Sequence, residues 1–281
     1  MPVAFHKYHA LLNDFIVVDL RKSRVARTRL RSLAVKMCHR RTGVGADGLV
    51  CLSSRRNADA RIDIFNSDGS WAEKSGNGLR IAAVHCHLHS GRRRKRKFLF
   101  QTASSLDRVS LVRRDGDSYL VKTELGRPTF EARQVPVKSR RRFVINAPIR
   151  VGGVDFPVTC LSVGNPHTVL FVDDFEFDWQ AVGAAIEKHR SFPNRTNVEF
   201  VKVVNRRKVK VADWERGAGA TGSSGTGAAA AVAAGVMLGL LDRRCEVLFE
   251  TGSLMIDWPE SPGVIQLTGP AQFIASGEYE F

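Results

Sequence analysis

This chain has few acidic residues relative to basic ones, and it lacks long apolar runs. Lysine and arginine number 43 against 28 aspartate and glutamate residues, which leaves a formal net charge of +15. No run of eighteen apolar residues occurs, so we expect no transmembrane helix. His6 and Lys7 interrupt the N-terminal segment, a pattern that does not predict a signal peptide. With 281 residues, 43% of them hydrophobic, the chain can bury one or two cores, and we expect a cytoplasmic globular protein.

Cysteine is sparse, and its spacing argues against two common uses of thiols. The five cysteines are Cys38, Cys51, Cys86, Cys160 and Cys245. They are odd in number, scattered, and without the paired spacing of metal ligands, so neither a disulfide framework nor a cysteine metal site is predicted. We expect reduced thiols buried in a core.

The excess positive charge is concentrated in three runs, at residues 92–97, 140–142 and 206–208. Such runs can bind nucleic acid or anionic surfaces. Here they lack interleaved aromatic residues and fall between predicted strands, which favours solvated loops. We therefore expect no nucleic-acid partner, although the positive field can attract dicarboxylate substrates.

Hydrophobic patterning predicts two series of strands with helices between them and no long linker. Helical spacing or a fully apolar run predicts helices at 29–40, 76–90, 179–188 and 225–240. Strands are predicted at 14–20, 60–66, 154–162, 167–173, 197–204, 207–213, 245–249, 253–258, 264–267 and 271–275, across 97–135 and from 142–145. We expect an α/β fold of two lobes, one formed by residues 1–130 with about 270–281, the other by residues 131–269.

Two short glycine-rich segments answer each other across the two halves. Ser75-Gly76-Asn77-Gly78 and Ser224-Gly225-Thr226-Gly227 each open directly into an apolar helix. Free N–H groups and the helix dipole at such a start favour an anion such as a carboxylate. Either these are two unrelated glycine-rich loops, or each lobe offers one helix N-terminus to a shared cleft.

An ordered set of motifs over nearly the whole chain resembles the diaminopimelate epimerase family, which comprises cofactor-independent amino-acid racemases. The matching segments are residues 5–9 and 13–15, Arg41–Leu49, Phe65–Ser70, Ser162–His167, Thr196–Phe200, Glu215–Gly219 and Gly252–Ile256. The resemblance implies two similar, pseudo-symmetric lobes, each a sheet wrapped around a central helix. It also implies a homodimer that epimerises LL- and meso-diaminopimelate for lysine and cell-wall synthesis, with no metal or organic cofactor.

The resemblance carries site roles onto named positions. In the family two cysteine thiols act on opposite faces of the substrate Cα, and their positions are Ser75 and Ser224 here. His167 and Glu215 match positions that flank the reactive centre, and Arg216 is expected to bind a distal carboxylate or, alternatively, to pair with Glu215 or Glu199 as a structural ion pair. The substrate-binding positions that it implies are Asn13, Asn66, Asn165 and Asn197. The free N–H groups at the two helix starts add Gly76, Asn77, Gly225 and Thr226 as expected binding positions.

Serine at both thiol positions is the chief departure from the family. A thiol at a helix N-terminus can ionise near neutral pH, whereas a serine hydroxyl normally needs an adjacent base. Ala220 stands where the family usually has glutamate, and Ala10-Leu11-Leu12 where it usually has glycines. Three interpretations stay open: serines assisted by His167 and Glu215, another isomerase or dehydrating lyase on the same fold, or a silent amino-acid-binding protein. Whether the serines are native or introduced also stays open.

Overall fold

Two units, each with its own sheet and its own buried helix, make up the chain in this computed structural model. One unit contains residues 1–124 and 268–281, and the other residues 125–267. The structure describes residues 2–23, 25–72, 75–89, 91, 95–103, 105–261 and 263–281. Each unit is described by itself below.

The first unit contains eight consecutive strands, two α-helices and a returning C-terminal strand. Its strands are β1 (Pro2–Ala10), β2 (Asn13–Asp19), β3 (Gly48–Ser53), β4 (Ala60–Asn66), β5 (Trp71–Ala72), β6 (Lys97–Gln101), β7 (Leu106–Asp115) and β8 (Ser118–Gly126). A 3-10 turn (Arg27–Arg29) precedes α1 (Leu30–Cys38), and α2 spans Gly76–His89. The last strand of the chain (Ile265–Glu280) pairs antiparallel with β1.

The second unit repeats this plan with different side chains. Its strands are β9 (Ala147–Val151), β10 (Val154–Ser162), β11 (Pro166–Phe171), β12 (Asn197–Asn205), β13 (Lys208–Glu215), β14 (Gly219–Ala220), β15 (Arg244–Phe249) and β16 (Gly252–Asp257). Its helices are α3 (Trp179–Glu187) and α4 (Gly225–Met237). The strand that begins at Ile265 is β17.

The order of strand pairings shows the duplication. In the first unit β1–β2 is antiparallel, β2–β3 parallel, β3–β4 antiparallel, β4–β5 antiparallel, β4–β6 parallel and β6–β7 antiparallel. In the second unit β10–β11, β11–β12, β12–β13, β13–β14, β13–β15 and β15–β16 follow the same order of directions. Each parallel pair needs a crossover connection, and a helix supplies it in all four cases. The two units are therefore similar lobes.

The helix in the second crossover of each unit is buried on all sides. Every residue of α2 from Gly78 to His87 is buried, and so is every residue of α4 from Gly227 to Gly235. Alanine and glycine dominate the α4 sequence, so neighbouring strands can approach its backbone closely. Strands of the surrounding sheet pack against both helices, which confirms a sheet wrapped around a central helix in each lobe.

The predicted helices are confirmed, with small shifts at their ends. The predicted face of α1, formed by Leu30, Leu33, Ala34 and Met37, is buried against β2 and β3. Helix α4 ends at Met237 rather than at residue 240. Gly239 adopts φ +73°, and the N–H of Leu240 turns back to the carbonyl of Gly235, which closes the helix.

Three strand predictions were wrong in detail. Residues 142–145 form turns with one isolated bridge, and the strand begins only at Ala147 because Asn146 takes φ +45°. Residues 127–135 form no strand, because the segment turns back on itself through bonds such as Val135 N–H to the Glu131 carbonyl. The segments 264–267 and 271–275 belong to the single strand β17, which Pro270 does not break.

The cysteines and the basic runs lie where their composition suggests. All five thiols are free and buried. Burial raises the pKa of each, that of Cys86 to about 11.

Residues 92–94 of the first basic run lie outside the described residues. Arg206 and Arg207 lie in the turn between β12 and β13 and both bind Asp242, at 3.0 Å each. In the described part of the chain, no helix has the length and apolar character needed to cross a bilayer.

The turn between β1 and β2 has two leucines in a left-handed conformation. Leu11 and Leu12 take φ of +53° and +63°, and Leu12 is 68% exposed. A residue with a Cβ loses roughly 1 kcal/mol in this conformation, and two-residue hairpins of this kind favour glycine or asparagine. We predict that Leu12→Gly raises the free energy of unfolding by about 0.5–1 kcal/mol, measured by urea denaturation.

Leu12→Ala is the matched control, because it removes the same exposed side chain but keeps the Cβ. The alanine variant should show no comparable gain. Equal stability of the two variants would contradict strain as the cause.

Candidate active site

Ser75 and Ser224 occupy the same structural position, the N-cap of the buried helix in their unit. Ser75 Oγ accepts the N–H of Gly78 at 3.1 Å, and Ser224 Oγ accepts the N–H of Gly227 at 3.1 Å. Their carbonyls accept the first helical N–H groups, those of Leu79 and Ala228. Such caps contribute about 1 kcal/mol each. In both serines one oxygen lone pair is therefore held by the backbone, and the hydroxyl hydrogen is left to point elsewhere.

Asparagines at the starts of β2 and β11 hold the first turns of these helices in equivalent ways. Asn77 Nδ2 donates to Asn13 Oδ1 at 2.9 Å. In the second unit Asn165 Nδ2 donates to Thr226 Oγ1 at 3.3 Å. The residue two positions after each serine is thus tied to an asparagine from a neighbouring strand. The structure brings each serine segment together with one predicted asparagine of its own unit.

Asn13 is itself fixed from behind by an aspartate. Its Nδ2 donates to Asp47 Oδ2 at 2.9 Å, and Asp47 Oδ1 accepts from Arg40 at 2.6 Å. Arg40 and Lys7 also bind Asp14, the residue after Asn13, at 2.9 Å each. Both ends of the Asn13 amide are therefore engaged within the protein, and Asn13 orients Asn77.

Arg80 places a buried positive group beside the start of α2. Its side chain is fully buried, Nη2 donates to Asn77 Oδ1, and Nε donates to the Pro270 carbonyl at 3.3 Å. Its Nη1 has no hydrogen-bond partner among the described residues, and a Cβ at Gly76 would lie 3.9 Å from it. Burial lowers the pKa of Arg80 to about 10, which leaves it charged at neutral pH. The sequence motif contained Arg80, but nothing in it showed that this guanidinium is buried.

His167 is fully buried and uses both ring nitrogens within the second unit. Nε2 lies 2.9 Å from Asn165 Oδ1, and Nδ1 lies 2.6 Å from Glu199 Oε1. Since Asn165 uses its NH₂ group on Thr226, its oxygen faces the imidazole, and Nε2 carries the hydrogen. The short contact on the other side joins Nδ1 to the Glu199 carboxyl group. His167 thereby orients Asn165, an arrangement that the spacing of these residues in sequence did not reveal.

Two further carboxyl groups belong to the strand beside Glu199, and one of them, Glu215, acts electrostatically on His167. Asp213 and Glu215 project from the same face of β13, and the Thr221 hydroxyl lies 2.7 Å from Asp213 Oδ2 and 2.6 Å from Glu215 Oε1. One hydroxyl hydrogen can serve only one acceptor, so one carboxyl group must itself donate. Burial raises the pKa of Glu215 and raises that of Asp213 to about 7. Burial therefore favours the protonated form of both carboxyl groups. The sequence analysis missed Asp213 and Thr221. The signal for Asp213 was its alternation with Glu215 along one strand, and Thr221 gave none.

Asn197 contacts the backbone of Arg216, and the Arg216 side chain does not form the ion pair with Glu215 or Glu199 that was the alternative prediction. Asn197 Oδ1 accepts the backbone N–H of Arg216 at 2.9 Å, and its Nδ2 donates to the Pro166 carbonyl. The Arg216 guanidinium is exposed and donates to the Asn194 carbonyl at 3.1 Å. Its recorded bond is thus to a carbonyl rather than to Glu215 or Glu199, which leaves donors of the fork for an anion.

Asn66 stands apart from the other candidates. Its side chain donates to Ser70 Oγ at 2.8 Å across an exposed turn, and Gly69 in that turn takes φ +80°. These contacts serve the turn between β4 and β5. The predicted binding role of Asn66 stays a prediction, as do the roles of Gly76 and Gly225, whose N–H groups lie in the first turns of α2 and α4.

The elevated pKa of Asp213 makes stability depend on pH. In the folded state the proton is held up to pH about 7, whereas the unfolded chain releases it near pH 4. Folded stability is therefore lost as pH rises between these two values. We predict that Asp213→Asn, which mimics the protonated acid, removes about 2–3 kcal/mol of the decline in unfolding free energy between pH 5 and pH 8.

Urea unfolding of both proteins at the two pH values measures this difference. Asp155→Asn, which changes a more exposed aspartate on β10, is the matched control and should decline as the unmodified chain does. Parallel pH profiles for Asp213→Asn and the unmodified chain would contradict the assignment.

Comparison with known proteins places this arrangement in a family. The model of the family described as diaminopimelate epimerase matches residues 5–131 and 159–274. A diaminopimelate epimerase of Pelotomaculum thermopropionicum is 42% identical over 278 residues, which cover 99% of each chain. One of Carboxydothermus hydrogenoformans is 40% identical and covers 98% of each chain.

Solved structures with the same fold are more distant in sequence. A phenazine biosynthesis protein of the PhzF family from Bacillus anthracis has a TM-score of 0.68 at 14% identity, over 100% of both chains. A hydroxyproline epimerase from Agrobacterium vitis has a TM-score of 0.65 at 13% identity, over 99% of this chain and 91% of its own. At these identities the likeness shows the fold alone. The family match and the identity to its members show that the chain belongs to the diaminopimelate epimerase family, as an isomerase of the epimerase type.

Proposed function

We propose that this protein epimerises diaminopimelate, or a closely related diamino dicarboxylic acid, by proton transfer at Cα without a metal or organic cofactor. The observation that carries the proposal is the duplicated N-cap, in which Ser75 and Ser224 begin equivalent buried helices. The family match favours this reaction over a lyase or a silent binding protein. Ser75 of the first unit and Ser224 of the second unit act on opposite faces of the substrate Cα.

The substrate carboxylate beside the reacting carbon binds the N–H groups at the helix starts. Gly76, Asn77, Gly225 and Thr226 supply these groups, and the helix dipoles favour the negative charge. Asn13, Asn66, Asn165 and Asn197 hold the substrate or the turns that bind it. Their existing bonds to Asn77, Thr226 and the Arg216 backbone support this preorganisation.

The two serines have opposite electrostatic surroundings, which suits opposite halves of the reaction. The buried Arg80 guanidinium in the second turn of α2 stabilises negative charge, so Ser75 is the proton acceptor in its alkoxide form, after its own proton has passed to solvent. The equivalent position in α4 is Ala229, and the charged group against the start of that helix is Glu199, which binds His167; Asp213 and Glu215, whose pKa values burial raises, lie on β13 of the same unit. Ser224 is therefore the donor, with Glu215 and His167 as the groups that replenish its proton. From the family resemblance we also propose a cytoplasmic homodimer.

The thiol test addresses the serines directly. A serine hydroxyl ionises poorly, whereas a thiol at a helix N-terminus can supply thiolate near pH 7. We predict that Ser75→Cys with Ser224→Cys raises Cα deuterium exchange of diaminopimelate by at least about 100-fold, because acid–base catalysis contributes factors of that order. Proton NMR in deuterated water measures the exchange, and chiral chromatography measures inversion.

Single substitutions should gain much less, because inversion needs an acid and a base. Ala220→Glu added to the double variant restores the glutamate usual in the family. Ser67→Cys, in the turn after β4, controls for an exposed thiol elsewhere. If the double variant binds diaminopimelate but exchanges no faster than the serine protein, the epimerase assignment fails.

The Arg216 guanidinium is expected to bind the distal carboxylate of diaminopimelate. We predict that diaminopimelate raises the melting temperature and that Arg216→Ala weakens its binding about tenfold, since a charge-assisted bidentate bond of about 1.4 kcal/mol is lost. Lysine, which lacks the distal carboxylate, should bind the unmodified chain and Arg216→Ala alike. Arg207→Ala removes the same charge from a remote turn and should leave the affinity for diaminopimelate unchanged. Equal weakening by both substitutions would point to general charge attraction instead.

A further inference from the structure

Three histidines of the first unit converge at the C-terminal end of α2. His85 and His89 are four residues apart on the helix, and His6 comes from β1. One ring nitrogen from each lies within 4.8 Å of the others. Ring centroids are 4.3 Å apart for His6 and His89, 4.5 Å for His85 and His89, and 4.8 Å for His6 and His85. None of the three belongs to the proposed reaction.

One of the three histidines, His85, has a hydrogen-bond partner on the side of its ring that faces Tyr8. Tyr8 is fully buried, and its hydroxyl lies 3.1 Å from His85 Nδ1. That contact leaves Nε2 of His85 as the nitrogen available to an ion, and with an ion on Nε2 the Nδ1–H would donate to the Tyr8 oxygen. Metal-bound histidines commonly use the second nitrogen in this way, which fixes the ring orientation.

The three histidines differ in their exposure to solvent. His85 is buried, His6 is half-buried and His89 is exposed. An ion can therefore enter from the His89 side, and the two less buried rings can turn toward it. A tetrahedral ion with Zn–N bonds of about 2.0–2.1 Å needs nitrogens about 3.3–3.4 Å apart. Rotation of the His6 and His89 side chains can close the remaining separation.

Two positive groups and one paired acid surround the cluster, so the imidazole nitrogens, and not charge attraction, would hold a cation. Asp19, Arg21 and Lys22 are the charged groups that act on these imidazoles, and Asp19 binds Arg21 at 2.7 Å. Desolvation by burial lowers the pKa of all three histidines, that of His85 to about 3. Imidazole binds metal ions through a ring nitrogen that carries no proton.

We propose that His6, His85 and His89 form a binding site for a divalent transition-metal ion, with Zn²⁺ as the best fit. Three imidazoles and no carboxylate ligand suit Zn²⁺, Ni²⁺ or Cu²⁺ and disfavour Mg²⁺ and Ca²⁺, which prefer oxygen. A fourth position faces the exposed side and takes water or an anion. The bound ion joins β1 to α2, whose opposite end begins at Ser75, and so stabilises the first unit.

Untagged full-length chain, freed of metal with a chelator, is the material for the test. Isothermal titration with Zn²⁺ at pH 7.5 should give one ion per chain with micromolar or tighter affinity. Zn²⁺ should raise the melting temperature by several degrees, since it binds only the folded state. Co²⁺, used as a spectroscopic substitute, should show the visible absorption of a tetrahedral site.

His89→Ala removes the exposed ligand and should weaken Zn²⁺ binding at least tenfold, with loss of the Co²⁺ bands. His6→Asn should do the same through a second element. His39→Ala, an exposed histidine after α1, is the matched control and should bind as the unmodified chain does. Circular dichroism and melting without metal show that the variants fold.

Two results would overturn the proposal. One is absence of Zn²⁺ binding by the unmodified folded chain. The other is binding that persists unchanged in folded His89→Ala and His6→Asn, which would place the ion elsewhere. Because the readouts are metal binding and spectra, neither result depends on whether the protein epimerises diaminopimelate.

Discussion

The bond from a helical N–H to a serine oxygen is the interaction on which both halves of the site depend. It fixes where α2 and α4 begin. The close packing around it explains the glycines. A Cβ at Gly227 would lie 3.0 Å from both Glu199 Oε1 and the Ser224 side chain, and a Cβ at Gly78 would lie 3.0 Å from Ile64. Serine suits this position as a cap better than it suits proton abstraction, so stability and catalysis make different demands on the same atom.

The duplicated backbone is filled with unlike charges. The first unit presents a buried arginine whose Nη1 has no hydrogen-bond partner among the described residues. The second presents a buried histidine bound to Glu199, and two further carboxyl groups, Asp213 and Glu215, whose pKa values burial raises. An unpaired buried charge destabilises a fold, and so does a carboxylate kept from water. These costs lie beside the two serines. Such clustering of perturbed groups is common at reacting centres, where the field has to favour charge that forms during the reaction.

The same helix connects the serine site to the three-histidine cluster. Ser75 begins α2, while His85 and His89 lie in its last two turns. Between them every residue from Gly78 to His87 is buried, so the helix is held rigidly by its sheet. A metal at the histidines would therefore act on the first unit by tying β1 to this helix. It would not touch the groups that hold substrate.

Local patterns in the sequence were enough for the elements that obey one rule along their length. Helices α2 and α4 are apolar on all sides and begin at a serine-glycine signal, so both were predictable. The strand predicted at 142–145 failed because Asn146 turns the backbone, and β17 runs on through Pro270, whose position in the sheet no local rule specifies.

The pairings that give the site its chemistry were decided by tertiary structure. His167 meets Glu199 from 32 positions away, and Arg80 meets the Pro270 carbonyl from 190 positions away. The i, i+4 spacing of His85 and His89 is visible in the chain, but His6 joins them only because β1 packs against α2. Burial and charge contact depend on which segments the sheets bring together. Alternation and spacing report on one segment at a time.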